Sequence, residues 1–202
     1  MNNCILLGKP NVGKTTFFLS YAEYLGVTSC ILEFENFEGS VTRKNYSINV
    51  ARSYLINQTP FKTKEICRMN LSIPVYKGRT EITLFDTGGL IDGISANEIV
   101  RKSMAEALKQ LYLADLILHM IDASSVDHNC CSTLSEIDYQ INQYGHSRGA
   151  YCILANKIDL EEGEKGLSFI RKEFKDTYII PISARKMKGF KEVNKFVSRV
   201  IQ

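Results

Sequence analysis

The chain has 202 residues, 45% of them hydrophobic and 23% charged, with a net charge of +3. That length suits one α/β domain with a full core, and so mild a basic balance does not by itself announce a nucleic-acid binder. No apolar run approaches the ~20 residues of a membrane span, and the N-terminus lacks the basic and apolar stretches of a cleaved leader; the expected location is the cytoplasm, with no membrane partner.

The first apolar run, residues 3–8, reads as a buried strand and leads straight into Gly8-Lys9-Pro10-Asn11-Val12-Gly13-Lys14-Thr15. A helix is expected over 14–25. Strand, glycine-rich turn and helix are the context a phosphate loop requires. Successive backbone N–H groups in such a turn curl around a phosphate, and the helix N-terminus adds partial positive charge. Gly8 and Gly13 allow the backbone angles and close approach that a Cβ blocks. Lys14 suits the β- and γ-phosphates, and the Thr15 hydroxyl suits Mg²⁺. Pro10, Asn11, Val12 and Thr16 complete the nucleotide-contacting stretch.

Residues 27–58 are irregular. Glu33, Glu35 and Glu38 balance Arg43, Lys44 and Arg52, and Ile48, Ala51 and Leu55 share one face if the end is helical. Strands over 67–76 and 81–86 flank Lys77-Gly78-Arg79-Thr80, a hairpin signature with one antiparallel edge strand. Asp86-Thr87-Gly88-Gly89 follows. An Asp at a strand's carboxyl end reaches a Mg²⁺ shell, and Gly89 lets a backbone N–H approach a γ-phosphate. D-x-x-G alone is weak, because Asp and Gly crowd turns.

A helix is expected over 96–112, then a strand over 116–122 in which His119 is a packed residue rather than a ligand. Another helix over 131–144 precedes a strand over 151–156 and the run Asn156-Lys157-Ile158-Asp159. The Asp159 carboxylate can accept from the N1–H and exocyclic amine of guanine, groups that adenine does not present; sites of this kind discriminate by roughly 10⁴–10⁵. Lys157 can cover a base face, and Asn156 can tie this loop to the phosphate loop. After a helix over 167–174 and a strand over 178–183 comes Ser183-Ala184-Arg185, where a backbone N–H can meet the guanine O6. The last helix, 190–201, carries Phe190, Val193, Phe196, Val197 and Val200 at helical spacing.

Alternating strands and helices predict a doubly wound, mostly parallel six-stranded α/β sheet with one antiparallel edge strand and helices on both faces, in a single domain over 1–202. Of the six cysteines, Cys4, Cys67 and Cys152 lie in strands as small hydrophobes. Cys30, Cys130 and Cys131 form no C-x-x-C pair with them, so all read as reduced thiols.

The four motifs, in this order and with G-x-P-N-V-G-K as the wording of the first, resemble the Era-like small GTPases of the translation-factor class. The resemblance runs from Cys4 to the final helix. It implies a Ras-like P-loop fold, GTP and GDP as ligands, Mg²⁺ held by Thr15, Asp86 and a switch threonine, and GTP hydrolysis. It identifies Pro60-Phe61-Lys62-Thr63-Lys64-Glu65 with the family's switch sequence, so the switch role passes to Thr63, with Thr42 and Thr59 as alternatives. It makes 27–58 an insertion before the switch, and the chain a member with no RNA-binding module after its last helix. Gly88 stands where many relatives have proline.

On this resemblance the catalytic set is Lys14, Thr63, Gly89 and Asn11. Leu90 occupies the place of the water-orienting Gln of Ras-type enzymes and cannot orient water, which implies slow intrinsic turnover. Asn11 has two readings: it holds a K⁺ ion against the phosphates, or it merely tolerates the bend of the loop. Two roles follow. One is a switch in ribosome- or RNA-related assembly, with Arg185, Lys186, Lys188, Lys191, Lys195 and Arg199 against Glu192 as a basic end; the plainer reading of those cations is a solvated helix face. The other is a nucleotide-gated module that docks a protein effector or a second copy of itself.

Overall fold

The computed structural model describes residues 2–56, 66–126 and 134–201. Its elements run β1 (Asn2–Leu7), α1 (Lys14–Tyr24), β2 (Ser29–Glu35), β3 (Val41–Ser47), α2 (Ile48–Ile56), β4 (Ile66–Val75) and β5 (Gly78–Asp86). They continue as α3 (Glu98–Leu113), β6 (Leu116–Asp122), α4 (Glu136–Arg148), β7 (Tyr151–Asn156), α5 (Gly163–Glu173), β8 (Ile179–Pro181) and α6 (Phe190–Val200). The strands form one sheet in the order β3-β2-β4-β5-β1-β6-β7-β8. From β5 to β8 all neighbours are parallel, whereas β4 is antiparallel to both β5 and β2, and β3 to β2.

The central strands read as continuous apolar runs because both of their faces are covered. Cys4 and Leu6 of β1 point into a core with Phe17, Phe18 and Tyr21 of α1 and Phe190 and Val197 of α6. Ile5 and Leu7 point the other way, into a core with Leu111 of α3, Ile141 of α4 and Ile170 of α5. His119 is fully buried in β6, with Tyr151 Oη 2.9 Å from Nδ1 and Asp138 Oδ1 3.1 Å from Nε2, as a packed strand residue should be. Cys4, Cys30, Cys67 and Cys152 are buried and stand outside any disulfide among the described residues; Cys130 and Cys131 lie outside the described residues.

The α/β architecture is the expected one, but the sheet has eight strands among the described residues, not six. The two extra strands come from the stretch taken as irregular. On β2, Cys30, Leu32 and Phe34 are buried on one face, while Glu33 and Glu35 lie on the other. Glu33 accepts from Arg43 Nε at 2.7 Å and from Arg68 Nε at 2.8 Å, and Arg68 also reaches Glu35 at 3.4 Å. Of the charges that cancel in the sequence, Glu33 and Arg43 pair across strands, while Arg68 of β4 supplies the rest of the cluster and Arg52 pairs with Glu23 of α1. Fully burying Leu32 or Phe34 is worth about 1.5–3 kcal/mol each, enough to hold the hairpin to the sheet. Its turn is closed by Asn36, whose Oδ1 accepts from the N–H groups of Glu38 and Ser40 at 3.0 and 2.9 Å.

Two further corrections follow from the same pairing. The antiparallel β4 is interior rather than an edge, because β2 covers it and β3 takes the edge. The β4–β5 turn is only Tyr76 and Lys77, with Val75 paired to Gly78, so the second strand starts at Gly78 and not at 81. The helical face of Ile48, Ala51 and Leu55 is as expected: Ile48 and Ala51 are buried in α2, with Leu55 packed against the core. Helix α4 begins with a capping box between Ser135 and Asp138 and ends at Gly149, whose φ is 78°. Helix α5 begins at Gly163 rather than 167. A Cβ on Gly166 would sit 1.8 Å from the Ala123 carbonyl oxygen, so close packing, not helix propensity, selects glycine there.

Candidate functional site

Four of the parallel strands, β1, β5, β7 and β8, deliver their motifs to one rim of the sheet, where open α/β sheets gather ligands. Register fixes the neighbours: Leu6 pairs with Asp86, Asp122 with Asn156 and Ala155 with Pro181. The phosphate loop turns with φ of 139° at Gly8, 64° at Asn11 and 101° at Gly13. A Cβ on Gly8 would meet the Met120 carbonyl oxygen at 2.2 Å, and one on Gly13 would meet Asn156 Nδ2 at 2.4 Å. Asn11 is exposed in the left-handed region that Asn tolerates well.

Lys14 begins α1 and is buried, with Nζ donating to the carbonyls of Gly8 at 3.0 Å and Lys9 at 2.7 Å. Burial lowers its pKa to about 8, against the opposing pull of the Asp86 and Asp138 carboxylates. The ammonium is thus folded into the curve of its own loop. Thr15 Oγ1 donates to Asp86 Oδ2 at 2.7 Å. The other Asp86 oxygen, Oδ1, is buried with no hydrogen-bond partner among the described residues, and burial lifts this carboxyl from 3.8 to about 6. A buried carboxylate with one orphaned oxygen, beside a threonine hydroxyl, fits a hard divalent cation. Among the described residues no group of three or more His, Cys, Asp or Glu could hold a metal ion, so such a cation would need phosphate oxygens to complete its shell.

The loop after Asp86 lies against the phosphate loop. Thr87 Oγ1 donates to the Leu6 carbonyl at 2.7 Å and the Leu90 N–H to the Gly8 carbonyl at 3.1 Å. A Cβ on Gly89 would come within 2.5 Å of Pro10. Leu90 is fully buried in the core with Ile5 and Phe85, so it plays no polar part at the rim.

Asn156 joins three loops. Its Nδ2 donates to the Val12 carbonyl at 2.7 Å, and its Oδ1 accepts from the Ala184 N–H at 2.9 Å. Lys157, with φ of 67°, pairs with Asp122 at the end of β6. Asp159 accepts from the Ser183 hydroxyl, which holds its carboxyl below the usual carboxylate range, and Lys186 Nζ lies 3.7 Å away. The Ser183 N–H is spent on the Lys188 carbonyl and the Ala184 N–H on Asn156. The amide of this loop left to donate to a ligand is therefore that of Arg185, or that of Ala184 if shared. Thr16, Lys157, Asp159, Ala184 and Arg185 face a common cavity of about 480 Å³, within the range of small-molecule sites.

Of the expected site residues, Gly8–Thr16, Asp86, Gly89, Asn156–Asp159 and Ser183–Arg185 thus meet at one rim. Thr42 does not: it sits on β3, at the far edge of the sheet, with Oγ1 3.5 Å from the Phe34 carbonyl. Thr63, with the rest of 60–65, and Thr59 lie outside the described residues. Asp122 was not singled out in the sequence, although its signal is there: an acid ending a strand, in register with Asn156. Nor was Asp138, whose Oδ2 lies 3.9 Å from Lys9 Nζ of the phosphate loop.

Comparison with known proteins adds a family signal. A family model described as "50S ribosome-binding GTPase" matches residues 3–157. The GTPase Der of Nitratiruptor sp. is 26% identical over 201 residues, covering 98% of this chain and 34% of that protein. Der of Nautilia profundicola is 28% identical over 197 residues, covering 96% and 33%. The chain spans about a third of the length of these curated relatives. Among solved structures, Era in complex with MgGDPNP and nucleotides 1506–1542 of 16S ribosomal RNA superposes with a TM-score of 0.65 at 22% identity, covering 98% of this chain and 56% of that one. The FeoB G-domain of Methanococcus jannaschii gives 0.56 at 21%, covering 100% and 99%. Both likenesses are of fold.

Proposed function

Since the chain belongs to the family of 50S ribosome-binding GTPases, we propose that it binds guanine nucleotides and hydrolyses GTP to GDP and phosphate as a nucleotide-dependent switch. The observation that supports this most is the convergence at the rim. A phosphate loop and a buried Asp86 beside Thr15 share the rim with a cavity lined by Gly13, Thr16 and an ionised Asp159, and Asn156 ties the loops together.

In this reading the polyphosphate takes the Lys14 ammonium away from the Gly8 and Lys9 carbonyls, and the charge is neutralised where it develops on the γ-phosphoryl group. Thr15, Asp86 and, from the family resemblance, Thr63 would hold Mg²⁺, which when bound supplies further charge stabilisation to the β- and γ-phosphates. Gly89 brings backbone close to the phosphate loop without a side chain between. Asp159 selects guanine, with Lys157 along the base and the Ser183–Arg185 loop at its edge. Buried Leu90 offers water no polar partner, so intrinsic hydrolysis is slow, and K⁺ held near Asn11 is the proposed source of extra charge. Equal turnover in equimolar KCl and NaCl would remove the K⁺ step and leave the rest standing.

Calorimetry tests the core of the proposal: GDP and GTP bind, and ADP and ATP do not. Absence of heat with either guanine nucleotide overturns it. A role with ribosomal RNA is the proposed cellular setting, supported by the family description and by the basic end, where Lys186 and Lys195 are partly offset by Asp159 and Glu192. Binding to a ribosomal RNA fragment should then fall steeply with salt. The docking or dimerising alternative has less support, since the edge strand β3 carries Arg43 and Lys44, charges that discourage strand addition.

A further inference from the structure

The cavity that holds Asp159 has a wall no phosphate-loop motif supplies. Besides Lys157, Asp159 and Arg185 it is lined by Arg52, Ser53 and Ile56 of α2. We infer that α2 forms the outer wall of the nucleoside seat and slows release of bound guanine nucleotide; this rests on the proposed function of the rim.

The helix is placed for that task. One face, Ile48 and Ala51 with Leu55, is packed into the core. Arg52 braces it to α1, donating from Nη1 to Ser20 Oγ at 3.1 Å and from Nη2 to Glu23 Oε2 at 2.6 Å. Helix α1 is the one that starts at Lys14, so wall and phosphate loop share a support. The Tyr54 ring stacks on Tyr46 of β3, centroids 5.6 Å apart. Arg52 and Ile56 are four apart, hence neighbours on one side of the helix, and Ser53 lies beside them. That side presents the Arg52 stem, an aliphatic Ile56 and a hydroxyl to the cavity. Ser53 and Ile56 are both exposed, Ile56 at 37%. A nucleoside seated against Asp159 would bury this apolar surface, and a side chain the size of Ile is worth roughly tenfold or more in retention.

The test uses the intact protein loaded with tritiated GDP and chased with unlabelled GDP. The Ser53→Ala/Ile56→Ala variant should release GDP about tenfold faster than wild type, with an unchanged circular dichroism spectrum. Glu23→Ala, which removes the charged half of the brace and lies outside the cavity lining, should shift release in the same direction. Val50→Ala, at an exposed position of α2 that does not line the cavity, should leave it unchanged. Competition by inorganic tripolyphosphate, which fills only the phosphate loop, should be the same in wild type and double variant. Wild-type GDP binding with equal release from the double variant overturns the wall and spares the site. Equal weakening of GDP and tripolyphosphate also overturns it, because α2 would then be only a prop for the loop. A wild-type protein that binds no GDP overturns the reading of the rim, and the wall with it.

Discussion

Asp86 is a carboxyl whose surroundings oppose its charge. Burial raises it to about 6, while the Thr15 hydroxyl and the Lys14 ammonium pull the other way. In the nucleotide-free protein the folded state keeps a proton that the unfolded chain has already lost at pH 5. Stability is therefore greatest below about 4 and falls as pH rises through 6, by roughly 3 kcal/mol for this group. Urea titrations between pH 4 and 8 should show that decline, set against other carboxylates with the opposite sign, and Asp86→Asn should flatten it. The same substitution should stabilise the nucleotide-free protein by about 2 kcal/mol and abolish any effect of Mg²⁺ on GDP affinity. Asp159 has the reverse character, since the Ser183 hydroxyl favours its ionised form. Asp159→Asn should weaken GDP by about 10²–10³-fold, the cost of two charge-assisted hydrogen bonds, and admit xanthosine diphosphate; nucleotide competition measures both. Asn156→Ala should cost about 2–4 kcal/mol in urea unfolding, since the buried Val12 carbonyl and Ala184 N–H each lose a partner.

At the scale of elements, the strands read to the residue are buried on both faces, and the alternating β4 was read to within one residue. Residues 116–122 and 151–156 have the expected bounds because an unbroken apolar run has one reading when turns flank it. The hairpin β2–β3 was not legible. Glu33 and Glu35 are poor strand formers on propensity, and only the arginines on neighbouring strands make them tenable. Strand β3 has no fully buried residue at all, so it carries no hydrophobic period; it exists through its ladder to β2 and through Lys44 Nζ lying 5.8 and 5.6 Å from the Phe34 and Tyr54 ring centroids. The rim motifs were legible because each is short, contiguous and fixed to a strand end. The wall from α2 was not, because its contact with the cavity is made by tertiary packing. The stretch that forms β2 and α2 is part of the core, and this is testable: Leu32→Ala should cost about 2–5 kcal/mol in urea unfolding, where a loosely attached loop would cost under ~0.5 kcal/mol.

For the molecule as a whole, the sheet serves two cores at once. Helices α1, α2 and α6 share one side and α3, α4 and α5 the other, while the rim loops belong to neither. Ligand binding at such a rim stabilises everything beneath it by mass action. At a concentration about 100 times its Kd, GDP should add ~2.7 kcal/mol to unfolding and ADP should add nothing, which thermal melts in both nucleotides can measure. Among the described residues no helix is long and apolar enough to cross a membrane.

Asn156 clasps Val12 across 144 positions of sequence, and is itself steadied by Ala184. During synthesis the glycine-rich turn emerges 144 positions ahead of its clasp. A nascent polypeptide stalled before β7 would carry the motif without the means to lock it. Nucleotide capture by stalled chains of increasing length should therefore appear abruptly, once the segments bearing Asn156 and Ala184 have been made.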